Sequence, residues 1–218
     1  MARGLANQET IEKFLQPDYQ RDLFDPYLMA DMDLAVCRLL KAIKENEAIV
    51  VYGDYDADGV SGCAILASFF QKINFTNFSV LIPDRQQEAY GLNSERIRQL
   101  AKDKAKLIIT VDCGISNIAE AQLAKELGLD LIITDHHNVV NGLPEAVAVL
   151  DNKRPDDTYP FKDLSGAAMA FKLLSALLSR DRFGLMLGWE KWLLDLVAIS
   201  SISDMVPLVG ENRTLVYF

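Results

Sequence analysis

The sequence predicts an α/β fold: a parallel sheet with helices on both faces, followed by a more helical C-terminal section. Three observations predict it. Short, nearly continuous apolar runs recur along the first 150 residues, the pattern of strands buried on both faces. Between these runs the apolar residues return at helical spacing. Acidic segments follow three of the runs immediately, at the positions where the loops of an open α/β sheet carry its sites.

Residues 5–28 are polar and aromatic and hold Pro17 and Pro26. They predict a short helix over 8–15 and then an irregular stretch, so residues 1–28 read as an N-terminal arm. Residues 30–46 place Met32, Leu34, Ala35, Leu39, Leu40 and Ile43 on one helical stripe, with Asp31 as the expected cap. The period then changes. Residues 48–52 are a strand, 53–59 a loop, and 60–73 an apolar helix. Residues 78–82 are a second strand, closed by Pro83. A charged helix over 94–104 has Ser94 as its expected cap. A third strand over 107–111 is followed by Asp112, and a helix over 117–127 is stopped by Gly128. A fourth strand over 131–134 leads into Asp135-His136-His137, and a fifth covers 146–150. Residues 151–163, with Pro155 and Pro160, form a loop or crossover. Helical patterns return at 165–176 and 190–202.

Of the 218 residues, 50% are hydrophobic and 24% charged, an ordinary globular composition. A chain of this length buries roughly 70% of its unfolded surface and needs no staples. No run approaches ~18 apolar residues, so no membrane span is expected. The three cysteines, Cys37, Cys63 and Cys113, are far apart and include no CxxC, which reads as reduced thiols in a cytoplasmic protein. The net charge of −9 argues against a nucleic-acid ligand, since phosphates ordinarily call for a basic surface. Carboxylates gathered around divalent cations lose much of their charge locally, which weakens that objection. A basic surface is then expected outside these residues.

Four constellations carry chemistry. In Asp54-Tyr55-Asp56-Ala57-Asp58-Gly59, alternate side chains of an extended or turning backbone project to one side, so three carboxylates can meet one or two hard cations. Gly59 is expected to allow a tight turn into the next helix. The segment matches the start of an EF-hand, but position twelve of that loop would be Ile65 rather than Glu. Taken alone, it also reads as an acidic turn with Asp caps. Asp112 closes a strand, where a cap or turn is the rival reading. Asp135-His136-His137 holds the two histidines of the chain, side by side at a strand end. Imidazoles there suit transition-metal ligation, and a neighbouring Asp suits support of a ligand. Asp204 is a charge in an apolar helical stretch just before Pro207, costly if buried unless paired or metal-bound. Oxygen ligands in quantity with one or two imidazoles suit Mn²⁺ or Mg²⁺ better than structural Zn²⁺.

The stretches YGDYDADG at 52–59, VDCG at 111–114, DHH at 135–137 and SISDMVPL at 201–208 resemble, in order, the motifs of the DHH phosphodiesterase superfamily. IPDR at 82–85, YGLN at 90–93, LSGAAMAFKLL at 164–174 and ENR at 211–213 are similar to RecJ-type, single-stranded-DNA-specific exonucleases within it. The resemblance implies a catalytic domain over 29–218 that uses one or two Mn²⁺ or Mg²⁺ ions. It implies 5′→3′ hydrolysis of single-stranded DNA in repair and recombination, with a single-strand-binding protein or helicase as partner of the full-length protein. Hydrolysis of short oligoribonucleotides or cyclic dinucleotides, and a non-catalytic scaffold, are the alternatives. Residue by residue, it implies that Asp112 bridges two cations and that Asp54 binds one. Asp56, His136 and Asp204 would complete the shell of the other. His137 would face the substrate phosphate or support the site, Asp58 would order its loop, and Asp135 would orient a ligand histidine. Two departures stand out. Tyr52 occupies a position where many members carry a His ligand, which thins the Asp54 side. Ala168 replaces a second glycine near the helix entry, although Gly166 remains. The DHH-associated and OB-fold domains of such proteins are not among these residues, so weak, non-processive activity is expected of this chain.

Overall fold

The structure, a computed structural model, describes residues 7–86 and 88–218. Residues 1–6 of the expected arm lie outside that range. Five strands, β1 (Ile49–Gly53), β2 (Phe78–Leu81), β3 (Leu107–Val111), β4 (Asp130–Thr134) and β5 (Ala148–Leu150), form one sheet in the order β2-β1-β3-β4-β5. Every pairing is parallel. The helices preceding and connecting them are α1 (Gln8–Leu15), α2 (Met32–Lys44), α3 (Ala57–Lys72), α4 (Ser94–Lys102) and α5 (Ile118–Glu126). The C-terminal section holds α6 (Gly166–Arg180), α7 (Leu194–Ser203) and α8 (Gly210–Tyr217), with a 3₁₀ turn at Trp189–Leu193.

Strand residues alternate between two cores, as a sheet covered on both faces requires. Ile49, Val51, Leu107, Ile109, Val111 and Ile132 pack with α2, α3 and α6. Val50, Tyr52, Ile108, Leu131 and Ile133 pack with α4 and α5. Helix α6 is buried on nearly all sides, from Gly166 to Leu178, between α3, α2 and α7. This explains its apolar composition. The described part of the arm is strapped to the C-terminal section. The Tyr27 hydroxyl donates to the Ala176 carbonyl (3.1 Å), and Arg213 Nε donates to that of Phe14 (3.0 Å).

Two expected caps are corrected. Asp31 stands at the start of α2 but has φ 63° and makes no capping bond; its Oδ2 accepts from Arg154 (2.6 Å) and from Val149 N (3.1 Å). Helix α4 is capped by Asn93, one residue before Ser94, whose Oδ1 accepts from Glu95 N and Arg96 N. Cys63 and Cys113 are buried free thiols, and Cys37 is exposed. No helix of the described residues is long and apolar enough to cross a membrane.

Candidate metal centre

The strand order brings β1 and β3 together while their crossovers leave in opposite directions, opening a crevice at their carboxyl ends. Asp54 directly follows β1 and is still held to β3, its N–H donating to Val111 O (3.3 Å). Asp56 caps α3, with Oδ1 accepting from Asp58 N (2.8 Å) and Gly59 N (2.9 Å). Gly59 already lies inside α3 and makes no turn, contrary to expectation. Its missing Cβ is needed because that atom would lie 2.7 Å from the backbone of Asp54. Asp112 follows β3 with φ 60°, a left-handed conformation rare outside glycine, and its N–H donates to Thr134 O (2.9 Å). Asp135 N donates to Leu150 O (3.0 Å), fixing the start of the Asp135-His136-His137 turn against the end of β5.

These loops meet. Ligand atoms of Asp54, Asp56 and Asp112 lie within 4.8 Å of one another; so do those of Asp58, His136 and Asp204, and those of Asp112, His136 and His137. His136 Nε2 is 3.1 Å from Asp112 Oδ1, 3.6 Å from Asp58 Oδ2 and 3.8 Å from Asp204 Oδ2. The donor set is carboxylate oxygen with imidazole. Asp54 Oδ1 and His136 Nδ1 are buried without a hydrogen-bond partner, and Asp112 Oδ1 is buried against the His136 ring without a well-aligned hydrogen bond. Crowded buried carboxylates with free oxygens cost stability unless a cation joins them, so the residues fit divalent metal.

The grouping of donor atoms differs from the one the resemblance implies. Asp56, which the resemblance places beside His136 and Asp204, stands with Asp54 and Asp112, while Asp58 stands with His136 and Asp204; His137, which it turns to the substrate phosphate or to support of the site, also shares a donor group with Asp112 and His136. Asp58 is 2% exposed, and its carboxylate receives Gly166 N (2.7 Å, Oδ2), Ala167 N (2.6 Å, Oδ1) and the Ser200 hydroxyl (2.5 Å, Oδ1). Gly166 packs against Asp112: a Cβ there would lie 2.8 Å from Asp112 Oδ1. Tyr52 points away from the crevice into the α4/α5 core, where its hydroxyl donates to Gly91 O (3.2 Å). The methyl of Ala168 lies in the opposite core.

Electrostatics follow from burial and crowding. Burial, reinforced by Asp58 and opposed by His136, pushes Asp112 up to about 7. Burial likewise raises Asp54 and Asp204. Burial opposes the charged form of His136, but the Asp112 contact outweighs it and raises the imidazole. Asp135 Oδ1 accepts His137 Nδ1 (2.7 Å) together with the N–H groups of His136 and His137, and Oδ2 accepts Ile115 N (2.9 Å). Burial alone would raise Asp135, yet the His137 bond brings it below the ordinary carboxylate range. The same contact pushes His137 up to about 9.

Three contributors had no role in the sequence reading. The Tyr90 hydroxyl donates to Asp112 O (2.8 Å) and lies 3.1 Å from His137 Nδ1. Its motif, YGLN, was visible, but its place over the site was not. Ser165 and Ser200 are buried hydroxyls 2.5 Å apart. Their signal was a polar residue on an otherwise apolar helix, which demands a partner.

Residues 48–200 match the model of the DHH family, N-terminal domain. Among curated relatives, the chain is similar to the single-stranded-DNA-specific exonuclease RecJ of Bacillus subtilis, 43% identical over 98% of this chain and 26% of that one. It is 36% identical to the RecJ of Escherichia coli, over 99% of this chain and 38% of that one. These shares mean that the chain spans well under half the length of these relatives. Among solved structures, it resembles the exonuclease RecJ bound to manganese, with TM-score 0.76 and 36% identity over 86% of this chain and 46% of that one. It also resembles RecJ from Thermus thermophilus in complex with Mn²⁺, with TM-score 0.75 and 33% identity over 94% of this chain and 28% of that one. With the family model covering most of its length and the family's acidic and histidine motifs meeting in one crevice, the chain belongs to the DHH family.

Proposed function

We propose that these residues form the metal-holding part of a RecJ-type 5′→3′ exonuclease that hydrolyses phosphodiesters of single-stranded DNA in repair and recombination. One observation carries the reading. Asp54, Asp56, Asp58, Asp112, His136 and Asp204, spread over 150 positions, converge in two donor groups that both adjoin Asp112. Asp54, Asp56 and Asp112 would hold one divalent cation. Asp58, Asp112, His136 and Asp204 would hold a second. Mn²⁺ or Mg²⁺ bound as a pair activates water and offsets charge on the leaving oxygen of a phosphodiester. The likeness to manganese-bound RecJ supports this choice of metal, and the names of the curated relatives support single-stranded DNA.

The chain's own groups do the rest. Asp135 fixes a proton on His137 Nδ1 and orients the half-exposed ring. Nε2 can then carry a second proton to a phosphate oxygen as negative charge develops there. Tyr90 bonds the backbone of Asp112 and packs edge-on against that ring, so the two face one substrate position. The 218 residues alone are expected to bind cations and to shorten long single strands weakly and without processivity.

The test compares a 5′-phosphorylated single-stranded oligonucleotide, a cyclic dinucleotide and pyrophosphate, each with Mn²⁺. We expect Mn²⁺-dependent shortening of the oligonucleotide from its 5′ end, falling roughly a hundredfold or more in Asp112→Ala and His136→Ala. Preference for the cyclic dinucleotide would move the chain to another DHH hydrolase class. Mn²⁺ binding without hydrolysis in any protein containing the chain would make it a scaffold.

A further inference from the structure

Two serines behind the site, neither of them a ligand, connect three helices through one short path of hydroxyls. Ser165, the cap of α6, lies with its Oγ 2.5 Å from that of Ser200 in α7. The Ser200 hydroxyl in turn donates to Asp58 Oδ1 at 2.5 Å, in the first turn of α3. Both serines are fully buried, so every proton must find an acceptor inside the protein.

Counting protons fixes the direction. Each hydroxyl has one proton, and a carboxylate only accepts. Ser200 gives its proton to Asp58, so Ser165 must be the donor in the contact between the serines. Ser165 Oγ then accepts from Ala168 N at 3.4 Å. Successive bonds in such a chain polarise one another, and the last one, ending on a carboxylate, is charge-assisted. The result at Asp58 is asymmetric. Oδ1 is occupied by Ser200 and Ala167 N. Oδ2 takes Gly166 N alone and faces His136 Nε2 at 3.6 Å. Ser200 also acts through its backbone: its carbonyl accepts from Asp204 N (2.9 Å), which places Asp204 one turn further along α7.

We propose that Ser200, oriented by Ser165, is a positioning residue for the cation held by Asp58, His136 and Asp204, a one-way hydroxyl relay that turns Asp58 Oδ2 toward the metal. The proposal rests on the two-cation reading given above. The relay occupies the oxygen that would otherwise compete for the same cation, and it ties the orientation of Asp58 to the register of α7 and so to Asp204. Residues that orient ligands in this way typically affect metal affinity by roughly 10–100-fold.

The experiment is Mn²⁺ binding to the 218-residue chain, followed by titration calorimetry and by the electron paramagnetic resonance of the bound ion. The variants are Ser200→Ala, Ser165→Ala, the double variant and Ser200→Thr, with Asp112→Ala as control, each checked for native circular dichroism. Ser200→Ala is expected to weaken one of the two ions by roughly 10–100-fold and to alter its resonance, leaving the other within about threefold. Ser165→Ala should weaken the same ion by less. The double variant should be no worse than Ser200→Ala, because Ser165 acts through Ser200. Ser200→Thr keeps the hydroxyl and should restore binding. Wild-type affinity for both ions in Ser200→Ala overturns the relay. So does a Ser165→Ala effect that persists in full when Ser200 is already Ala. Should Ser200→Ala not fold, wild-type binding in Ser165→Ala overturns it instead. A wild-type chain that binds no Mn²⁺, or an Asp112→Ala variant that binds it normally, overturns the two-cation reading itself. A relay failure leaves both of those controls intact.

Discussion

Gly166 shows how tightly single atoms define the site. A Cβ at that position would lie 2.6 Å from Asp112 Cβ and 2.8 Å from its Oδ1, and the helix start cannot retreat because Gly166 N is bonded to Asp58. Gly166→Ala is therefore expected to cost about 1–3 kcal/mol of stability by overpacking and to weaken Mn²⁺ binding roughly tenfold or more by displacing Asp112. Gly142→Ala is the control. Gly142 has φ 90° but nothing within 4 Å of its Cβ position, so that change strains the backbone without touching the metal. Equal metal affinity in the two variants, measured by calorimetry, would sink the argument. The residues that meet in the crevice were legible in sequence, because carboxylates and paired imidazoles at the ends of buried strands have few structural uses. Their grouping was not. Alternation of i and i+2 side chains assumes extended backbone through residue 58, whereas α3 begins at Ala57. Asp56 is thus an extended cap and Asp58 a helical residue, and the two point to different groups.

At the scale of elements, strands and long helices were legible because their apolar periods are set by burial on one or two faces. Helix α8 was not. Its sequence, GENRTLVY, is polar, and its buried face includes Glu211, Asn212 and Thr214. What makes that face buriable is tertiary. Glu211 Oε1 accepts from Lys172 Nζ (2.5 Å) and from Phe24 N (2.7 Å), and Oε2 accepts from the Tyr159 hydroxyl (2.7 Å). One carboxylate thereby joins α8, α6, the arm and the loop after β5. Lys172 and Glu211 side chains are 3% and 0% exposed, and no local pattern announces such a pairing across 39 positions. Removing one member of a buried pair strands the other charge, so Lys172→Met should cost about 3–5 kcal/mol in urea unfolding. Arg180→Ala, which breaks a 3.3 Å pair with Asp33 between half-exposed side chains, should cost no more than about 1 kcal/mol. Similar losses from the two substitutions would show that α8 is not pinned through Glu211.

On the scale of the whole molecule, the strand order delivers acidic groups to a single edge of the sheet and concentrates there protons that the unfolded chain would not hold. Burial pushes both Asp112 and Asp151, the residue after β5, up to about 7, and the Asp135 contact pushes His137 up to about 9. Each of these folded-state values lies above its unfolded one, so the native state binds more protons than the unfolded state across the interval between them. Linkage then requires stability to fall as pH rises through that interval. For the two carboxylates the loss runs up through pH 7 and ends about one unit above it. For the imidazole it runs from the unfolded value near 6.5 up to about 9. Ordinary carboxylates are already ionised in both states above pH 6.5 and contribute no slope there. Freed of divalent cations by a chelator, the chain should therefore lose thermal stability steadily between pH 6.5 and 9. Mn²⁺ must displace protons from Asp112 and its neighbours to bind, so its affinity and the stabilisation it gives should grow over the same range. Calorimetry in buffers of different ionisation enthalpy should register the released protons. A chelated chain that becomes more stable between pH 6.5 and 9, or Mn²⁺ binding that releases no protons at pH 6.5, would mean that these groups do not share a crowded, cation-seeking site in solution.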